Sequence, residues 1–214
     1  MSMTILANRR SVMTVYSDPT DPTGHCVRIV LAEKDINAEI NYVDADNPPE
    51  DLSDLNPYNA VLTLIDRDLV LYDAQIMLEY LDERFPHPPL MPVDPIARAS
   101  NRQLRHRVMR DLYALVDDLT GKNDIAAANA RKAMRDNLTA IAPVFARQQY
   151  FMSDDYSLVD CCMIPLLYRL EYYGVKLPAQ GKPILRYAEH LFDRPSFLGS
   201  LSDAEREMSS ALVL

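Results

Sequence analysis

The stretch Asn56–Pro92, NPYNAVLTLIDRDLVLYDAQIMLEYLDERFPHPPLMP, decides how this chain is organised. Val61 to Ile65 is a short apolar run rich in β-formers, Asp66-Arg67-Asp68 a polar turn, and Leu69 to Tyr72 a second run of hairpin length. Asp73 then stands where an N-cap belongs, because its carboxylate accepts from the free N–H groups of a first helical turn. Behind it Ile76, Met77, Tyr80, Leu81 and Phe85 recur at helical spacing and define an apolar face. Pro86, Pro88 and Pro89 stop the helix near Arg84 or Phe85, since proline removes a donor and biases the preceding residue toward extended backbone.

Working outward toward the N-terminus, Val12–Ser17 alternates and reads as a strand, and Asp18–Gly24 as a turn-rich loop. Val27, Ile29, Val30 and Leu31 open a helical run ending near Lys34, and Glu39–Val43 is a second strand. Asp46-Asn47-Pro48-Pro49 punctuates, and Glu50–Leu55 forms one or two helical turns. The order β-α-β-α-β-β-α predicts one parallel pairing closed by an antiparallel hairpin, which suits a thioredoxin-like domain.

On the other side of the prolines strand signals nearly vanish. Leu104, Val108, Leu112, Leu115 and Leu119 predict a long amphipathic helix over 96–120, broken by Gly121. A second helical stretch runs from Ile125 to Phe151, kinked or split by Pro143. Ser157-Leu158-Val159-Asp160 has capping-box spacing and opens a helix, Leu158 to Leu170, apolar on all sides and ended by Gly174. Lys182–Phe192 and Ser200–Met208 complete an all-helical region, with 209–214 read as a frayed tail.

The chain of 214 residues is 48% hydrophobic and 25% charged, ordinary for a globular protein. With 22 Lys+Arg against 31 Asp+Glu its net charge is −9, which disfavours direct binding to nucleic acid. Cys26, Cys161 and Cys162 have no metal-ligand spacing and suit a reducing cytoplasm. Met1–Ser11 lacks the apolar run of a signal peptide, and no segment approaches a membrane span. A soluble cytoplasmic protein without cofactor or metal is the expectation.

The Leu62-Thr63-Leu64 hairpin, the capped helix behind it and Ser157–Asp160 resemble the cytosolic glutathione transferases. The resemblance implies a glutathione S-transferase fold, α/β plus all-α. A thioredoxin-like N-terminal domain would span 11–86, a linker 87–94 and an all-helical C-terminal domain 95–208. Within that superfamily the chain is similar to the stringent starvation protein A family, bacterial proteins associated with RNA polymerase. The residues carrying this are Asn8–Thr14, Val27–Lys34, Asp46–Pro49, Tyr80–Val93, Ile141–Phe145 and Ala204–Met208, spread over nearly the whole chain.

A glutathione transferase lowers the thiol pKa of glutathione with a Ser, Tyr or Cys at the start of its first helix. Counting back about seven residues from Arg28 gives Asp21, a carboxylate that repels a thiolate; Ser17, Tyr16 and Thr23 are other hydroxyls in reach. The family's cis-proline is replaced by Leu62, where a cis bond would cost about 3 kcal/mol, so a trans bond and a reshaped pocket are expected. The pair that binds the γ-glutamyl group reads Asp73-Ala74, keeping the carboxylate and losing the hydroxyl. With all three elements altered (Asp21, Leu62, Ala74), no catalytic residue is assigned. The alternative is a glutathione-dependent transferase or thiol reductase with a degenerate site.

Pro86, His87 and Pro88 are the candidate binding site. From the residues alone a stiff linker is favoured. The resemblance reverses this, because in that family a Pro-His-Pro element contacts RNA polymerase holoenzyme with its primary sigma factor. It also implies a homodimer that reaches DNA only through the polymerase. Arg98, Arg102, Arg105, Arg107 and Arg110 form a basic concentration, read either as a partner patch or as salt bridging within the protein or across the dimer, the latter preferred. Cys26 is read as a buried structural thiol rather than an activated one, and Tyr168, Tyr172 and Tyr173 as packing rather than a ligand box.

Overall fold

The computed structural model describes residues 12–45, 47–58 and 60–210. Expectations placed on 1–11, on Asp46 and on 211–214 lie outside them. The chain divides into two compact units, one ending at Pro88 and regaining Gly199–Arg206, the other holding Pro89–Leu198 and the chain from Glu207.

In the first unit β1 (Met13–Ser17) is followed by α1 (Pro22–Glu33), β2 (Ala38–Tyr42), α2 (Glu50–Leu55), β3 (Thr63–Asp66), β4 (Leu69–Leu71) and α3 (Ala74–Arg84). The sheet order is β2-β1-β3-β4. β1 runs parallel to β2, with Val15 opposite Ile40, and antiparallel to β3, with Val15 opposite Leu64. β3 pairs antiparallel with β4 across Ile65 and Val70. This is the expected thioredoxin-like arrangement. Tyr16 and Ile65 meet Val43 and Leu52 of α2 in one apolar cluster, and α1 and α3 pack on each other.

Two readings of this unit are corrected. The first helix begins at Pro22, not Val27, because Asp21 caps it, accepting from Thr23 N at 3.1 Å and Gly24 N at 2.7 Å. Proline at the first helical position lacks only an N–H that would have no intrahelical partner. On α3 the core face is Met77, Leu78 and Leu81, all fully buried, while Ile76 is 57% exposed. Asp73 caps α3 as expected, accepting from Ile76 N at 3.0 Å.

In the second unit α4 (Pro95–Asp111), α5 (Val116–Thr120), α6 (Asp124–Ile141), α7 (Leu158–Tyr168) and α8 (Lys182–Phe192) form a helical bundle; α9 (Pro195–Ser200) and α10 (Asp203–Ser210) follow in the chain, and the part of them within Gly199–Arg206 belongs to the first unit. The long helix expected over 96–120 is interrupted by a 3-10 turn at Tyr113–Leu115. The expected 125–151 helix ends at Ile141, where Ala142–Ala146, carrying Pro143, tightens to 3-10 geometry. The helix expected over 200–208 begins only at Asp203, as α10, and the short α9 before it was not expected. Helix α7 packs against α4 and α8 and is buried from Leu158 to Leu167, as its unbroken apolar run requires. It ends two residues before Leu170, and Gly174 closes the following turns at φ +70°, a conformation that suits glycine. No described helix is long and apolar enough to cross a membrane.

Candidate functional site

The exit of α3 is built from its last turn outward. Phe85 closes the helix, its N–H bonded to Leu81 O, and its half-buried ring lies 5.2 Å beneath the Arg84 guanidinium. Pro86, His87, Pro88 and Pro89 follow, all exposed and outside any helix or strand. Beneath them lies Lys34, whose side chain is fully buried. Its Nζ donates to Phe85 O at 2.6 Å and Pro88 O at 2.7 Å, and pairs with Asp82 Oδ1 at 2.8 Å. The sequence marks Lys34 only as a helix end; no local signal joins it to residues fifty positions away.

Beside this segment opens a cleft of about 310 Å³ lined by Met13, Lys34, Asp35, Asp66, Arg67, Arg84 and Phe85. Tyr80 Oη donates to Asp66 Oδ2 at 2.6 Å, and Arg84 Nε lies 3.9 Å from the same oxygen. Desolvation and that bond raise the Tyr80 phenol above its usual value, so it remains a donor. Charged side chains of both signs thus line the cleft.

The three glutathione-site positions lie elsewhere in the first unit. Because the Asp21 carboxylate takes Thr23 N and Gly24 N, the amides an incoming anion would use at this helix end are already satisfied. Ser17 is buried and donates to Asp18 O at 3.0 Å, and Tyr16 belongs to the core cluster. A side chain at Gly24 would meet Ser17 Oγ at 2.3 Å, so α1 and β1 pack closely at this point. Leu62 is buried behind a trans peptide bond. Asn56, fully buried, shapes this loop by donating to Ala60 O at 2.7 Å and Thr63 Oγ1 at 3.2 Å. Ala74 is buried at the start of α3.

The remaining candidates separate. Arg105 is buried and bonded to Asn101 Oδ1 at 3.1 Å, Arg98 reaches Pro92 O at 3.3 Å, and Arg107 faces Asp111 at 3.8 Å, while Arg102 and Arg110 are exposed. The stripe is therefore in part internal bonding. Cys26 is fully buried and donates to Pro22 O. Tyr168 packs on Phe192 and Phe197, Tyr173 is buried and Tyr172 half exposed. The buried ion pair of Arg28 with Glu205, bidentate at 2.8 and 2.9 Å, was not foreseen. Burial pushes the Arg28 guanidinium pKa down, and the contacts with Glu205 more than offset it, leaving the arginine charged.

Residues 22–84 match the model of the glutathione S-transferase N-terminal domain, and 98–195 that of its C-terminal domain. A stringent starvation protein A homolog of Coxiella burnetii is 47% identical over 94% of this chain and 96% of its own length. One of Pasteurella multocida is 49% identical over 93% and 94%. A rice glutathione S-transferase solved with glutathione superposes with a TM-score of 0.81 over 96% of both chains at 22% identity, a likeness of fold.

Proposed function

The chain belongs to the stringent starvation protein A family, and from that premise we propose that it regulates transcription in starvation or acid stress by protein–protein contact with RNA polymerase carrying its primary sigma factor. The observation that carries the reading is the Pro86-His87-Pro88 element, exposed at the end of α3. Prolines fix φ on both sides of His87, so little conformational entropy is lost when a partner closes on it. The imidazole supplies both a ring face and a polar atom. A net charge of −9 favours reaching DNA through the polymerase over direct contact. Tyr58 and Tyr72, exposed in the first unit with their rings 5.4 Å apart, and the exposed Ile76 support assembly as a homodimer.

Co-purification with sigma-saturated polymerase tests the contact. His87→Ala and Pro86→Ala/Pro88→Ala alter exposed side chains, so the circular dichroism spectrum and the dimer mass by sedimentation are expected to hold while polymerase capture falls at least tenfold. Capture at the wild-type level by both variants sends the contact elsewhere. Absence of capture by the wild type rejects the polymerase reading.

The family models leave a second reading, a glutathione-dependent transferase or reductase. The helix end filled by the Asp21 carboxylate argues against it. The wild type is expected to pass through a glutathione resin without retention; elution only by free glutathione would revive the enzyme reading.

A further inference from the structure

We infer that Lys34 is the positioning residue of the Pro86-His87-Pro88 surface, an inference that deepens the functional reading above and takes its purpose from it. Among residues 86–89 only His87 has a backbone N–H, so the chain lacks the donors to close itself into a hydrogen-bonded turn. Its carbonyls need a donor from outside, and Lys34 supplies it. One nitrogen bonds Phe85 O at 2.6 Å and Pro88 O at 2.7 Å, the two carbonyls that bracket the tripeptide. The ends of the segment are thereby drawn to a single point, and the three side chains between them stand in solvent.

An ammonium has three donors, and the third goes to Asp82 Oδ1 at 2.8 Å, which fixes the head on the last turn of α3. Donors and acceptors match in number, and the lysine side chain is fully buried. A buried cation is costly unless it is paired and hydrogen-bonded, and all three of its bonds point at the exit of this helix. Arginine would not substitute, because its planar fork cannot aim three donors at acceptors grouped around one point. The element's shape is thus set from α1, not by its prolines alone.

The test removes the fastening without leaving a lone buried charge. In Lys34→Met/Asp82→Leu both ionic groups go together, and circular dichroism with a thermal melt reports that the fold persists. The readout is the ¹⁵N backbone order parameter of His87, expected near 0.85 in the wild type and below about 0.6 in the double variant. Polymerase capture is expected to fall at least tenfold in parallel. A folded double variant whose His87 order parameter equals that of the wild type overturns the inference. If His87 loosens in the double variant, the positioning role stands, and the separate His87→Ala comparison then decides whether the polymerase reading does. Should the double variant fail to fold, Lys34→Arg repeats the measurement with charge and pairing to Asp82 retained, and an unchanged order parameter there overturns it too.

Discussion

Glu205→Ala is expected to lower the free energy of unfolding by about 3–5 kcal/mol, because it strands a buried guanidinium. Arg28 and Glu205 are 3% and 0% exposed, with both guanidinium–carboxylate bonds at 2.8–2.9 Å. The same carboxylate accepts from Ser202 N at 2.8 Å and lies 3.4 Å from His25 Nδ1, while His25 Nε2 is 2.9 Å from Ser200 Oγ. Alanine leaves Arg28 with Ser200 O at 2.8 Å and the Tyr42 hydroxyl at 3.3 Å, neither of them charged. In a domain of this size the loss corresponds to a fall in melting temperature of about 10 °C. Urea unfolding of Glu205→Ala beside Arg28→Met/Glu205→Leu is the measurement. Removing both charges avoids the stranded cation, so the double variant is expected to retain most of the stability that the single one loses. Equal losses in both would show that shape, not the unpaired charge, sets the cost.

What the sequence revealed follows the range of the interaction. The hairpin, the cap at Asp73 and the proline stop depend on neighbours a few residues apart, and each stands where the pattern put it. Asp21 as cap was equally local, an acidic residue directly before a proline, yet the two prolines of Asp18–Gly24 read as loop. Ser202 and Glu205 repeat the capping-box spacing recognised at Ser157 and Asp160, with Ser202 Oγ accepting from Glu205 N at 3.0 Å, so that helix start was legible too. On α3 the periodicity fixed that a face is buried but not its centre. Ile76 and Leu78 are both apolar, and packing alone chose Leu78. The Lys34 fastening and the Arg28–Glu205 pair join residues about 50 and 177 positions apart, and no spacing rule connects them. At the candidate site the sequence therefore named the exposed tripeptide and missed what holds it.

Asp160→Ala is expected to cost the second unit about 3–4 kcal/mol, since it leaves several buried donors without an acceptor. Asp160 is fully buried at the start of α7. It accepts from Ser157 N at 2.9 Å, Ser157 Oγ at 3.1 Å, Phe151 N at 2.8 Å and the Tyr187 hydroxyl at 2.6 Å. Burial pushes its carboxyl toward the neutral form, and these four bonds oppose the push. Burial and the nearby carboxylate hold the Tyr187 phenol well above its usual value, so it donates at every working pH. Ser157 Oγ also accepts from Asn101 Nδ2 at 3.0 Å, and Asn101 Oδ1 from Arg105 Nε at 3.1 Å, so the cap ties α4 to α7 through one polar chain. Tyr187→Phe removes a single donor together with its need for an acceptor, and is expected to cost about 1 kcal/mol. Asp160→Asn should fall between the two, because an amide oxygen still serves Phe151 and Tyr187 while the NH₂ group faces Ser157 N, donor against donor. Equilibrium urea unfolding of the three variants tests the ranking Ala, Asn, Phe from most to least damaging. An Asn variant as stable as the wild type would mean that Ser157 N finds another acceptor, and that the reciprocal cap is not what holds the start of this buried helix.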